Sequence, residues 1–286
     1  MGSLRKLSKR GLPGMIYSLA LIVGAILMLV PLFWMILTAL KSFQEVMADP
    51  IVLFPERPRW ENFVVVLSEF RFSRYFLNSL LVALLQVAGT LVSCVLAAYA
   101  FVAYRVRWAN AVFLLLLSAL MLPSQVTVVP LFKLFAAMGW VDTYLPLVVP
   151  SWLGLNVFAI FLLRQFFKTI PRDYIEAARI DGAGELRIIW SVFLPLSRPA
   201  LIVVAIFTFL GSWNDLFGPL VYLHDSEKFT LPLGLLEFMA TVGHAGGTPM
   251  HLIMAASSFI VLPVVVLFMF TQRYFIEGLS QGGVKG

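Results

Sequence analysis

An all-α integral membrane protein is the fold class this sequence predicts, and three observations predict it. Hydrophobic residues make up 60% of the chain and charged residues only 13%, against roughly 45–50% and 25% in a soluble domain. The mean hydropathy is +0.93. Six apolar stretches are each long enough to cross a ~30 Å hydrocarbon core, which takes roughly 20 helical residues.

The stretches are Met15–Leu40, Phe76–Val102, Ala109–Phe132, Tyr144–Leu163, Pro199–Tyr222 and His251–Gln272. The first follows a basic start, as a signal peptide would. Its charge-free run extends from Gly11 to Leu40 with no small-residue cleavage site after it, so it reads as a retained span. Pro31, Pro123, Pro150, Pro219 and Pro263 inside the spans predict kinked helices, whose freed carbonyls a bundle can satisfy. Lys and Arg sort orientation. With the N-terminus inside, 14 of the 21 basic residues fall on inner segments and 7 on outer ones. The Lys41–Arg74 loop, with five, argues the other way. The predicted layout is a cytoplasmic N-terminus over 1–14, a transmembrane domain over 15–272 and a cytoplasmic tail over 273–286.

The net charge of +6 belongs to this loop bias, and no basic stripe interleaved with aromatics points to nucleic acid. The single cysteine, Cys94, forms no intrachain disulfide. His224, His244 and His251 have no partners at metal-ligand spacing, so no metal site is expected.

One loop, 164–198, breaks the apolar pattern. Its core is EAARIDGAGELRIIWSVFLPL, Glu176 to Leu196. Pro171 suits the first turn of a helix. Asp173 and Glu176 lie near the positive end of its dipole. Gly182 supplies the positive φ of a helix C-terminus. A second helix from about Glu185 carries Leu186, Ile189, Trp190 and Phe193 at 3-4 spacing, an apolar ridge. Pro195 stops it and Pro199 opens the next span. The result is a small helical hairpin. Its residues alone leave two readings open, a plain connector and a docking element.

This stretch resembles the cytoplasmic EAA loop of permease subunits in bacterial ATP-binding-cassette importers. The pattern is E-A-A, three residues, G, nine residues, then I-x-L-P. Here it reads Glu176-Ala177-Ala178, Gly182 and Val192-Phe193-Leu194-Pro195, with Val for Ile. FLGSWNDLFGPLV in span five resembles a segment of carbohydrate-importer permeases. The tail QRYFIEGLSQGGVKG resembles that of the second permease of the maltose-type pair.

The resemblance implies a multi-pass inner-membrane subunit that moves a sugar from an extracytoplasmic solute-binding protein into the cytoplasm. It implies a second permease subunit, making a heterodimer, two ATPase subunits, and contact with membrane lipid. Glycerol phosphate or a polyol is the alternative solute. In the family the EAA loop couples ATPase closure to the spans. Carried over, Glu176 would pair with a basic ATPase residue, Ala177 and Ala178 would permit close approach, Gly182 would set the bend, and Asp181 joins them among the coupling residues. Leu186 and Trp190 would hold the loop in place. The tail from Gly278 would reach toward the ATPase; a disordered terminus is the alternative.

No G-x-x-x-x-G-K-[ST] loop is present, so ATP and Mg belong to the partner ATPase and this chain is non-catalytic. A polytopic membrane enzyme is a remote alternative, because it needs clustered acid, base or metal groups at membrane depth. Polar residues within spans mark a possible solute path. Asn156, Trp213, Asn214 and Asp215 are the candidates. Gln86 and Gln125 read better as interhelical hydrogen-bonding groups.

Overall fold

The computed structural model describes residues 12–69, 71–104, 107–243 and 249–282. Every regular element among them is helical. The chain divides into two compact units, one of residues 1–70 and 238–261 and the other of 71–237 and 262–286.

The first unit starts with α1, Leu12–Ala39, an apolar helix that contains Pro31. Its end is fastened by polar groups that the sequence reading left as loop. Lys41 is only 2% exposed. A buried ammonium needs an acceptor, and Lys41 Nζ donates to Val52 O at 2.6 Å while lying 4.6 Å from the Trp34 ring centre. Asn62 Nδ2 bridges Ala39 O and Lys41 O. Ser42 and Glu45 form a reciprocal capping box on the short helix α2, Phe43–Val46. Helix α3, Glu61–Glu69, follows.

In the second unit the long helix α4, Phe72–Ala103, is the central post. Helices α7, Leu145–Trp152, and α8, Val157–Phe167, lie against it, as does α12, Arg198–Trp213. Gly89 lets α7 approach closely: a Cβ there would stand 2.4 Å from Trp152 Cδ1. The Ser93 hydroxyl lies within 2.8 Å of both Gly89 O and Ser151 O and shares its proton between them. Below this seam, Cys94, Ala98 and Tyr99 of α4 meet Leu163 and Phe167 of α8 and Val204 of α12 in a buried core.

Among the described residues, four helices have the length and apolarity of a membrane span: Ile16–Ala39, Phe72–Ala103, Leu145–Phe167 and Met250–Gln272. A fifth arises if the pair Glu185–Leu196 and Arg198–Trp213, bent by 85°, counts as one. Not all of the six expected stretches are continuous helices. The stretch Ala109–Phe132 is two short helices, α5, Ala109–Ala119, and α6, Ser124–Ala137. Pro123 stands at the restart, where it disfavours helical geometry for the residue before it. The stretch Pro199–Tyr222 breaks after Trp213 and resumes as α13, Phe217–Tyr222. A continuous helix would drive the Pro219 ring into the carbonyl of Asp215. Span four runs on to Phe167 but is interrupted at 153–156, where Gly154 adopts φ +69°. Helix α14, Leu231–Gly243, was not anticipated, and α15, Met250–Gly282, ends the described chain.

A polar clamp joins two loops of the second unit. Asp142, with φ +59°, accepts from the backbone of His224 and Asp225 and from Lys228 Nζ at 2.7 Å. These donors, the Lys228 ammonium first, hold its carboxyl well below the usual carboxylate range. Glu227 pairs with both Arg71 and Arg74.

Candidate functional site

The hairpin is built by its own sequence. Helix α9, Arg172–Ile180, has Pro171 immediately before it and Asp173 in its first turn, where negative charge meets the helix dipole. Its end is a Schellman motif. Ala183 N donates to Ala178 O and Gly182 N to Arg179 O, with Gly182 at φ +76°. Helix α10, Glu185–Ile188, continues into a π-helical turn, Ile189–Phe193, and the short helix α11, Leu194–Leu196.

The expected apolar ridge is split by this geometry. Ile188, Ile189 and Phe193 are buried, whereas Leu186 and Trp190 are 69% and 73% exposed. Ile189 and Phe193 point into the core because the π turn spreads the inner face over more residues than a regular helix would. Leu186 and Trp190 line an apolar groove of about 610 Å³ with Leu91, Val95, Leu96, Arg198 and the edge of Ile189.

Glu185 fastens the hairpin to the post. Its carboxylate accepts from the Tyr99 hydroxyl of α4 and pairs with Arg179 of α9 at 3.0 Å. The Tyr99 ring meets Phe193 edge-on at 4.9 Å, and Phe193 meets Phe167 at 4.9 Å. Sequence reasoning missed both Tyr99 and Glu185; no spacing links two residues 86 positions apart. On the opposite face Tyr174, Glu176, Ala177, Ile180 and Asp181 are exposed, Ile180 at 86%. A buried inner face on the core leaves an outer surface of two carboxylates, Glu176 and Asp181, the small Ala177 and the loose apolar groups of Tyr174 and Ile180.

The path candidates separate. Trp213 is fully buried, between Phe76 and Phe209. Asn214 is exposed, and its amide donates to Leu210 O of its own helix. Asn156 caps α8 through Ala159 N. Asp215 reaches a cavity of about 630 Å³, which Gln86 also lines. The side chain of Gln125, His244 and residues 283–286 of the tail lie outside the described residues, as do the tail side chains from 273 onward.

Residues 89–281 match the family described as binding-protein-dependent transport system inner membrane component. The chain belongs to that family. It is 35% identical over 259 residues to the arabinooligosaccharides transport system permease protein AraQ of Halalkalibacterium halodurans, covering 90% of this chain and 91% of that one. It is 33% identical over 265 residues to the sn-glycerol-3-phosphate transport system permease protein UgpE of Yersinia pestis, covering 91% and 93%. Among solved structures, a bacterial ABC transporter involved in the import of the acidic polysaccharide alginate shares the fold. That likeness has a TM-score of 0.79 at 24% identity, over 92% of this chain and 96% of that one. As a member of this family the chain is a transport component.

Proposed function

We propose that this chain is one permease subunit of an ATP-driven importer that passes a sugar from an extracytoplasmic binding protein to the cytoplasm. The observation that carries the reading is the family match over residues 89–281 joined to the hairpin, whose inner face is anchored while Glu176, Ala177, Asp181 and the Gly182 bend stand exposed. The outer face is the docking surface for an ATPase subunit, which supplies ATP and Mg. Closure of the ATPase pair moves the hairpin, and the Tyr99–Glu185 contact with the Phe193 core carries that movement into α4. Both termini and the hairpin are cytoplasmic in this reading, and a second permease completes the pathway.

The AraQ relatives favour an oligosaccharide as solute; the UgpE relatives favour glycerol phosphate as a second reading. The docking role is tested with Glu176→Lys and Gly182→Pro. Both variants are expected in the membrane at normal levels, with ATPase subunits lost on purification and uptake abolished. Normal ATPase recovery and normal uptake in both would sink the docking role.

A further inference from the structure

Three of the apolar stretches are broken in the second unit, and two of the breaks open on one cavity. Leu153 and Leu155 come from the interruption between α7 and α8, and Asp215 and Gly218 from the one between α12 and α13. Discontinuous helices at a shared cavity are the form in which transporters build solute sites, because unwound backbone is tolerated only where it lines such a space.

The lining has a definite chemistry. Phe135, Trp140 and Tyr222 form one wall of mutually packed rings; Phe135 and Trp140 are stacked at 5.6 Å, and Tyr222 meets Phe135 edge-on at 5.4 Å. Asp215, Gln86 and Thr127 are polar residues of the same lining. Asp215 Oδ1 accepts from Gly218 N at 3.1 Å, and its second oxygen has no hydrogen-bond partner among the described residues. A Cβ on residue 218 would stand 2.5 Å from Asp215 Oδ2, so the glycine is what lets the carboxylate fold over the helix start. The Gln86 carboxamide likewise has no partner among the described residues, although interhelical hydrogen bonding was its expected use. Both groups are partly exposed, so a solute in the cavity can reach them. Among the described residues that line the cavity, Asp215 is the one charged group, and no Lys, Arg or His joins it.

We infer that this cavity is a subsite for a neutral polyhydroxylated solute and that it disfavours an anion. The inference rests on the permease reading above and narrows its solute class. Hydroxyl groups donate to the free Asp215 oxygen and exchange hydrogen bonds with Gln86, while the apolar face of a sugar ring lies on Trp140 and Phe135. Such a cavity, mostly apolar with a few placed polar groups, is the usual form of a small-molecule site. A phosphate would meet a like charge with no basic group among the lining residues to offset it.

The test uses the intact importer, purified through this chain with its co-purifying subunits and reconstituted for ATP-driven uptake. The probes are a panel of neutral arabino-oligosaccharides and sn-glycerol 3-phosphate. The wild type is expected to prefer the neutral panel by at least about tenfold. Gln86→Leu removes one hydrogen-bonding group and should raise the apparent KM for the neutral solute roughly tenfold, more than it lowers the maximal rate. Asp215→Asn keeps the acceptor for Gly218 N, so the helix start survives, and should narrow the preference over phosphate. Recovery of ATPase subunits with both variants checks their folding. Phosphate uptake equal to or above the neutral panel overturns the inference, as do wild-type KM and preference in both variants. Absence of a co-purifying ATPase and of any ATP-driven uptake would instead overturn the permease reading.

Discussion

Replacing Glu185 by alanine should cost more than removing the Tyr99 hydroxyl that it accepts. Tyr99 is 3% exposed, so Glu185→Ala leaves a buried hydroxyl with no acceptor. An unsatisfied buried donor costs about 1–3 kcal/mol. The Arg179 contact is lost as well, but with side-chain exposures of 41% and 39% that pair is largely solvated and adds little. Tyr99→Phe removes the donor with the bond. The half-exposed carboxylate turns to water, the ring contact with Phe193 at 4.9 Å survives, and only about 0.5–1.5 kcal/mol is lost. Glu185→Gln keeps an acceptor and should fall nearer the wild type. At about 2–4 °C per kcal/mol, thermal unfolding of the purified complex should drop by roughly 2–12 °C for Glu185→Ala and by about 1–6 °C for Tyr99→Phe, the former larger in a paired comparison. The same samples should show more ATP hydrolysed per solute moved, in the same order, because the contact links the hairpin to α4. Tyr99→Phe matching or exceeding Glu185→Ala in both measurements would refute the reasoning.

Gly182→Ala meets no atom within 4 Å, so its cost is the positive φ alone, about 1–2 kcal/mol; Gly184→Ala, at φ −72°, is the control that should leave the thermal midpoint unchanged. Gly234→Ala would put its Cβ 2.2 Å from the buried Tyr75 ring, whose hydroxyl donates to Glu237, and should destabilise by about 1–3 kcal/mol in the same unfolding assay. Because the Asp142 carboxyl is held below its ordinary range, its contribution is full above the unfolded value of about 4 and is lost only as pH falls through the lower folded value. Protease cleavage in 223–230 should therefore stay slow at pH 5 and rise under strong acid, and Asp142→Asn should remove that protection at every pH. With Cys94 replaced, a cysteine at Ser68 or Ser226 should react with an impermeant thiol reagent from outside, and one at Asp181 should not; the reverse pattern would overturn the orientation.

Legibility differed between the two sites. The hairpin is local: the Pro171, Gly182 and Glu185 signals lie within 15 residues, and each acts through backbone dihedrals or a helix end. Its anchoring is not local, and the split of Leu186 and Trp190 from Ile189 and Phe193 required the π turn. For the cavity, residue type pointed to Asp215, but the same reasoning favoured Trp213 and Asn214, which sit beside it in the chain. The break after Trp213 turns Trp213 into the core and Asn214 onto its own helix, so neighbours in sequence part in space.

By itself the sequence determined that the chain is helical and apolar and that one polar hairpin interrupts it. These follow from composition, run length and single-residue backbone preference, all of which act over one element. Only the tertiary structure decided where the long stretches break. A proline's clash takes effect according to which turn it occupies, and helix packing sets that turn. Only the tertiary structure brought Gln86 and Asp215 to one cavity, because those groups lie 129 positions apart, by the difference of their numbers, and packing on α4 decides which residues share a cavity.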